Sequence, residues 1–310
     1  MRVLVTGALG FLGRRLLPLL YEAGYRVRVL LPAEARQPSL PRGVPLEVAL
    51  GGFRDLASLQ AALSRVDVVL HLATAEHRGP RGSLQESDVQ STQQLIRAAR
   101  GRYRPLIIYF SHLGAGPHTA YPVLRAKGLA ERALRQSGLP YIILRCGPVF
   151  GAHDHFLFPL ARWVRMMPGV VPLPAGGHTL LHPLWLEDLV AVVLTLLEEP
   201  ELALGQTLSL GGPEHLSLRD VVQLLTHHLG LRRAIMPVPP TLLRMALLIW
   251  QNLTPKAPLT TFWLDYVAVH RTADPDILPR LFGILPERLA SVLPLLFPRR
   301  TERSTPPPGG

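Results

Sequence analysis

The chain has a single cysteine, Cys146. That excludes an intramolecular disulfide and any multi-cysteine metal site. It has no uncharged apolar run of 18 residues, so no spanning helix is expected. Zinc-finger spacing, an RNA-binding signature and a dense Lys/Arg helix are all missing, which argues against nucleic acid as a partner. No signal-like segment precedes the first strand pattern, and a cytoplasmic location is expected. Acidic residues are scarce beside basic ones, 22 against 33, giving a formal charge of +11. Such a surface suits an anionic lipid or an acidic protein.

What is present is core-forming sequence. At 310 residues and 48% hydrophobic, the chain can build one large α/β domain with a smaller attachment. Strand-like and helix-like patterns alternate through the first half. Strands are expected at 2–6, 26–31, 46–50, 66–72, 106–111 and 141–145. Helices are expected at 11–23, 56–63, 84–99 and 123–136. That order predicts a Rossmann-type, doubly wound parallel sheet over residues 1–151. A smaller, mostly helical region over 152–298 is interleaved with it through further elements at 156–167, 187–198, 207–210 and 217–229. Residues 299–310 are polar, rich in proline and glycine, and expected to be a disordered tail.

The segment from Pro237 to Pro255 carries one charge, Arg244. Leu242, Leu243, Met245, Leu247, Leu248, Ile249 and Trp250 leave little polar face. Two readings stand: a helix buried in the smaller region, or a helix against a membrane surface or hydrophobic partner.

The most informative motif is the strand Val3-Leu4-Val5-Thr6 running into Gly7, Gly10 and Gly13. After a strand and before a helix, this spacing marks a dinucleotide turn. Gly7 permits the tight turn, Gly10 lets a pyrophosphate approach the backbone, and Gly13 lets helix and strand pack closely. Thr6, Phe11 and Leu12 complete the expected contact set. The second strand ends Leu30-Leu31-Pro32 without the acid that usually holds the ribose of NAD. Arg28 and Arg36 are candidates for a 2′-phosphate, so NADP is slightly favoured and NAD stays open.

Taken together, these features resemble the short-chain dehydrogenase/reductase superfamily in its atypical or extended branch. The likeness is to the NmrA-like proteins and the NDUFA-nine-like accessory subunits of respiratory complex I. It extends over roughly 1–295 and rests on the glycine turn, on Val66–Ala73, on Asp88 with Thr92, and on Gly138–Gly151. His182–Leu189 and Leu281–Pro286 resemble later elements of that group. The resemblance implies cofactor contacts at Leu72, Ala73, Ser111, Lys127, Gly147, Pro148 and Val149.

In active members a serine, a tyrosine and a lysine carry the chemistry. Lys127 fits the lysine position, but Val123 stands four residues earlier, where the phenol belongs. Tyr121 is six residues before Lys127, about 240° around a helix and on the wrong face. Ser111, Tyr121 and Lys127 are therefore the catalytic candidates, with none compelling. His112 is read as a loop residue. Gly52 stands where an acid near the adenine is common, and Asp55 is read as a helix cap. His153, Asp154 and His155 do not form a defined metal site, and Cys146 is read as a small buried residue.

The resemblance and the missing phenol imply an NAD(P)-binding accessory or assembly protein of a membrane-associated electron-transfer complex. On this reading it is non-catalytic or weakly catalytic, and its place is peripheral on the membrane. The alternatives are an NAD(P)-dependent reductase or epimerase for an apolar substrate, and a redox sensor.

Overall fold

The computed structural model describes residues 1–32, 40–76, 82–101, 103–253, 257 and 259–298. In chain order the first half contains β1 (Arg2–Thr6), α1 (Phe11–Glu22), β2 (Arg26–Leu31), β3 (Glu47–Leu50), α2 (Leu56–Ala62) and β4 (Val68–His71). Next come α3 (Ser91–Ala99), β5 (Leu106–His112), α4 (Pro122–Arg135), β6 (Tyr141–Cys146) and β7 (Val149–Phe150). The second half contains α5 (Leu157–Met166), β8 (Val170–Pro174), β9 (Leu180–Leu181), β10 (Leu184–Trp185), α6 (Leu186–Glu198), β11 (Thr207–Leu210) and β12 (Leu216–Ser217). It continues with α7 (Leu218–His228), β13 (Ala234–Val238), α8 (Pro240–Leu253), α9 (Thr261–Tyr266), α10 (Ile277–Phe282) and α11 (Leu289–Leu296).

Seven strands form one sheet in the order β11-β6-β5-β4-β1-β2-β3. Every neighbouring pair is parallel. Successive side chains of a strand point to opposite faces, and the burial follows that rule. Val3, Val5, Val27, Val29, Ile108 and Ile142 share one core with α1 and α6. Leu4, Leu30, Val69, Ile107, Tyr109 and Ile143 share another with α2, α3 and α4. A strand buried on both faces must be apolar throughout, which is why these segments read as continuous hydrophobic runs.

β11 comes from the second half of the chain yet extends the main sheet beside β6, and α6 packs onto α1. The second half of the chain thus contributes to the main sheet. A third core, built from α5, α7, α8, α9 and α11 around Phe156, Trp163, Val221, Leu225, Leu247 and Leu293, belongs to the smaller region.

Several elements depart from the sequence reading. The expected helix over 84–99 opens with a wide π-type turn, Gln85–Gln90, before α3 begins. The stretch around 168–177 contains β8, whose parallel partner β13 lies more than sixty residues later. α9, α10 and α11 were not foreseen. The tail over 299–310 lies outside the described residues.

Candidate functional site

The site grows out of the first crossover. Gly7 has φ +70°, and a Cβ there would lie 2.7 Å from the Leu72 carbonyl carbon. Only glycine lets the end of β1 pass that close to the end of β4. A Cβ on Gly13 would lie 2.6 Å from the Ala8 oxygen, so α1 packs on its own lead-in. Gly10 occupies the N-cap of α1, with no side-chain cap and no acid in the first turn. The positive end of that helix therefore faces open space.

This turn forms one wall of a cavity of about 690 Å³. Leu31, Pro32, Gly52 and Phe53 close the end beyond β2, and Leu72, Ala73 and Thr74 line the middle. The far end reaches Lys127, Phe156, Trp263 and Tyr266, so the smaller region supplies part of the wall. A strip of glycine backbone, an uncapped helix start and an apolar slot on either side fit a dinucleotide.

At the far end Val123 and Lys127 both line the cavity. The Lys127 ammonium, 3% exposed, lies 3.0 Å from Asp88 Oδ1 and donates to the Phe110 carbonyl at 3.2 Å. Asp88 lies in the π-type turn before α3, and its other oxygen accepts from the Ala75 amide at 3.3 Å. Burial works against the lysine charge, but the surrounding electronegative groups, Asp88 among them, outweigh it and its pKa is raised. Lys127 is a locked cation.

Beneath it runs a buried chain. Thr92 Oγ1 donates to the Asp88 carbonyl at 2.6 Å, so it accepts from His71 Nε2 at 3.0 Å. His71 Nδ1 then accepts from the Thr6 hydroxyl at 2.7 Å. Burial, with Lys127 adding to it, lowers the His71 pKa to about 3, so the ring is neutral.

Two side chains that the sequence reading passed over stand at the same end. His112 is the last residue of β5, not a loop residue, and its Nε2 lies 2.5 Å from Glu76 Oε2. Burial lowers the His112 pKa, with Glu76 opposing it. The Tyr266 ring meets the His112 ring edge-on at 5.0 Å, and the buried Arg271 guanidinium sits 4.3 Å over the other ring system's centroid, that of Tyr266. Burial raises the Tyr266 pKa, which makes it a poor acid near neutral pH. Glu76, His112 and Tyr266 come together from distant segments. The one signal in the sequence was that His112 closes an apolar strand at the cofactor end of the sheet.

Of the expected contacts, Gly7, Gly10, Phe11, Leu12, Gly13, Leu72, Ala73, Ser111, Lys127 and Val149 line the cavity. Several others are placed or bonded differently. Arg28 does not line it: its guanidinium is held by Glu47 at 2.7 and 2.9 Å and by the carbonyls of Ala62 and Ser64. Thr6 is fully buried beneath the turn on His71. Gly147 and Pro148 are not in the wall; a Cβ on Gly147 would strike the His182 carbonyl oxygen, so that glycine serves chain packing. Ser111 reaches the wall but donates its hydroxyl to the buried Glu131 at 2.6 Å. Tyr121 is the N-cap of α4 and does not line the cavity. Arg36 lies outside the described residues.

Asp55 caps α2 as expected, accepting from the Ala57 and Ser58 amides. Asp154 accepts from the amides of Phe156, Leu157 and Phe158 at the start of α5, which accounts for it without a metal. Among the described residues no cluster could hold a metal ion. Burial pushes the Cys146 thiol up to about 12, against the opposing Lys127 charge, so it is inert as a nucleophile.

Residues 7–150 match a family model described as NAD(P)H-binding. This half of the chain is an NAD(P)-binding domain, similar to those of the atypical short-chain dehydrogenase/reductase group. The NAD(P)-binding chain is 29% identical over 233 residues to the mitochondrial NADH dehydrogenase (ubiquinone) 1 alpha subcomplex subunit 9 of Arabidopsis thaliana. That alignment covers 71% of this chain and 56% of the plant protein. It is 30% identical over 161 residues to a photosystem II assembly factor of Cyanophora paradoxa, covering 52% and 50%. The chain thus spans about half the length of these curated relatives. A solved nucleoside-diphosphate-sugar epimerase from Staphylococcus aureus superposes with a TM-score of 0.75 at 16% identity, covering 94% of this chain and 99% of that one. At that identity the likeness establishes the fold alone.

Proposed function

We propose that the protein is an NAD(P)-binding accessory or assembly factor of a membrane-associated electron-transfer complex, with little or no catalysis of its own. Carrying the reading is the pair on α4: Val123, not a phenol, faces the cavity one turn before a lysine locked on Asp88. Bound nicotinamide supplies hydride chemistry, but a reductase also needs a proton donor placed beside it. Val123 offers none, Tyr121 is out of the wall, and the Ser111 hydroxyl is committed to Glu131. A nucleotide held in such a site stabilises the fold by mass action. The two relatives, one a subunit of an NADH dehydrogenase (ubiquinone) and one an assembly factor of photosystem II, support that partner class.

One observation favours the reductase alternative: Glu76, His112 and Tyr266 bring protons to the same end of the cavity. Affinity capture from solubilised membranes, combined with a carbonyl-substrate screen using both nucleotides, tests the proposal. Co-purification with a membrane electron-transfer complex and no turnover is expected. Robust turnover with no such partner would reject it.

A further inference from the structure

α8 lies on the smaller region with two unlike faces. Leu243, Leu247 and Gln251 are buried, and the Trp250 ring meets Trp163 of α5 at 5.6 Å. The opposite face holds Thr241, Leu242, Met245, Ala246, Leu248, Ile249, Asn252 and Leu253, all exposed. Met245 and Ile249 are each 59% exposed and Leu253 is 81%. A water-facing helix side normally carries charge, and this one carries none.

α5, β8, β13 and α8 are one-sided in charge. No aspartate or glutamate occurs from 156 to 186 or from 221 to 264, stretches that contain α5, β8, β13 and α8 entire. The same stretches hold Arg162, Arg165, Arg232 and Arg233. α5 carries the first two beside α8, and Arg233 Nε reaches the Val164 carbonyl at 3.4 Å, which brings the second pair to the end of α5. Among the described residues none of the four makes an ion pair; Arg165 lies over the Phe297 ring. Arg244, on α8 itself, is neutralised by Asp265.

An uncharged apolar helix face, with unpaired arginines on neighbouring elements and its one adjacent acid, Asp265, already taken by Arg244, is the arrangement that enters the interfacial layer of an anionic bilayer. No helix among the described residues is long and apolar enough to cross a membrane. We propose that α8 docks the protein directly on anionic lipid, lying in the plane of the interface with Leu242, Met245, Ile249 and Leu253 in the acyl boundary. Arg162, Arg165, Arg232 and Arg233 then meet the headgroups. This deepens the membrane-complex reading by naming lipid, rather than a protein subunit, as what the helix touches; it does not depend on the nucleotide.

The test is flotation of the full chain with phosphatidylcholine vesicles, with and without phosphatidylglycerol, at low and high salt. Binding to the anionic vesicles that weakens with salt is expected. Met245→Glu with Ile249→Glu should reduce it roughly tenfold or more, and Arg162→Gln with Arg165→Gln should reduce it severalfold. All four positions are exposed, and unchanged melting temperature shows that each variant folds. Absence of vesicle binding, equal binding to neutral vesicles, or binding unaffected by either double variant overturns the proposal. If the variants instead lose a membrane complex while vesicles never bind, the helix meets protein, and the accessory reading survives without the lipid contact.

Discussion

Val123 and Lys127 stand one helical turn apart on α4 and both face the cavity, yet the lysine ammonium is turned onto Asp88 at 3.0 Å. In an active relative of this fold a phenol would stand at the valine and the lysine would serve it. Here the cation serves the scaffold, holding the π-type turn before α3 to the end of β5 through Asp88 and the Phe110 carbonyl.

That role predicts a stability effect. Lys127→Met alone leaves a buried carboxylate unpaired and should cost about 3–5 kcal/mol, as should Asp88→Leu alone. The double variant should recover much of the loss. Urea unfolding of the four proteins in a double-mutant cycle measures the coupling.

The glycines should separate fold from binding. Gly13→Ala places a Cβ against Ala8 backbone and should destabilise by about 2–4 kcal/mol. Gly10→Ala meets only the Gly7 oxygen at 3.1 Å, so it should keep the fold. It should still lower nucleotide affinity by roughly tenfold by spoiling the close approach. Thermal melts and isothermal titration with NAD and NADP check both.

His71 predicts an acid sensitivity. Its folded pKa of about 3 lies below the unfolded value near 6.5, so the unfolded chain binds the extra proton between those pH values. The stability it contributes is full above about pH 6.5 and falls by up to about 1.4 kcal/mol per unit below it. His71→Asn cannot titrate. Wild-type stability measured relative to that variant should therefore decline from pH 7 to pH 4; a constant difference would contradict the assignment.

Tyr121 should be dispensable. It caps α4 outside the cavity wall, so Tyr121→Phe should change nucleotide affinity and any residual turnover by less than about twofold. Steady-state assays with both nucleotides measure this.

The sheet and its cofactor turn were legible because their constraints are local. A strand buried on both faces must be apolar, and a turn where an added Cβ would lie 2.7 Å from neighbouring backbone must be glycine. Arg28, in the middle of β2, is held away from the cavity by its neighbour on the next strand. In register it faces Glu47 on β3, a pairing of opposite charges that an explicit strand alignment would have suggested. The Glu76–His112 pair, the β8–β13 ribbon and Tyr266 beside the cavity join segments whose separation no periodicity encodes. The π-type turn was hidden because Val89 is its one apolar residue, too few to show a period.

The most direct test of the central claim is made on protein purified without added nucleotide. Mass analysis of what it releases on denaturation, together with a hydride-transfer assay on the same preparation, asks both halves at once. The account predicts released NAD or NADP from the wild type, much less from Gly10→Ala, and negligible turnover. No nucleotide binding even when it is supplied, or vigorous turnover lost in Tyr121→Phe, would contradict it.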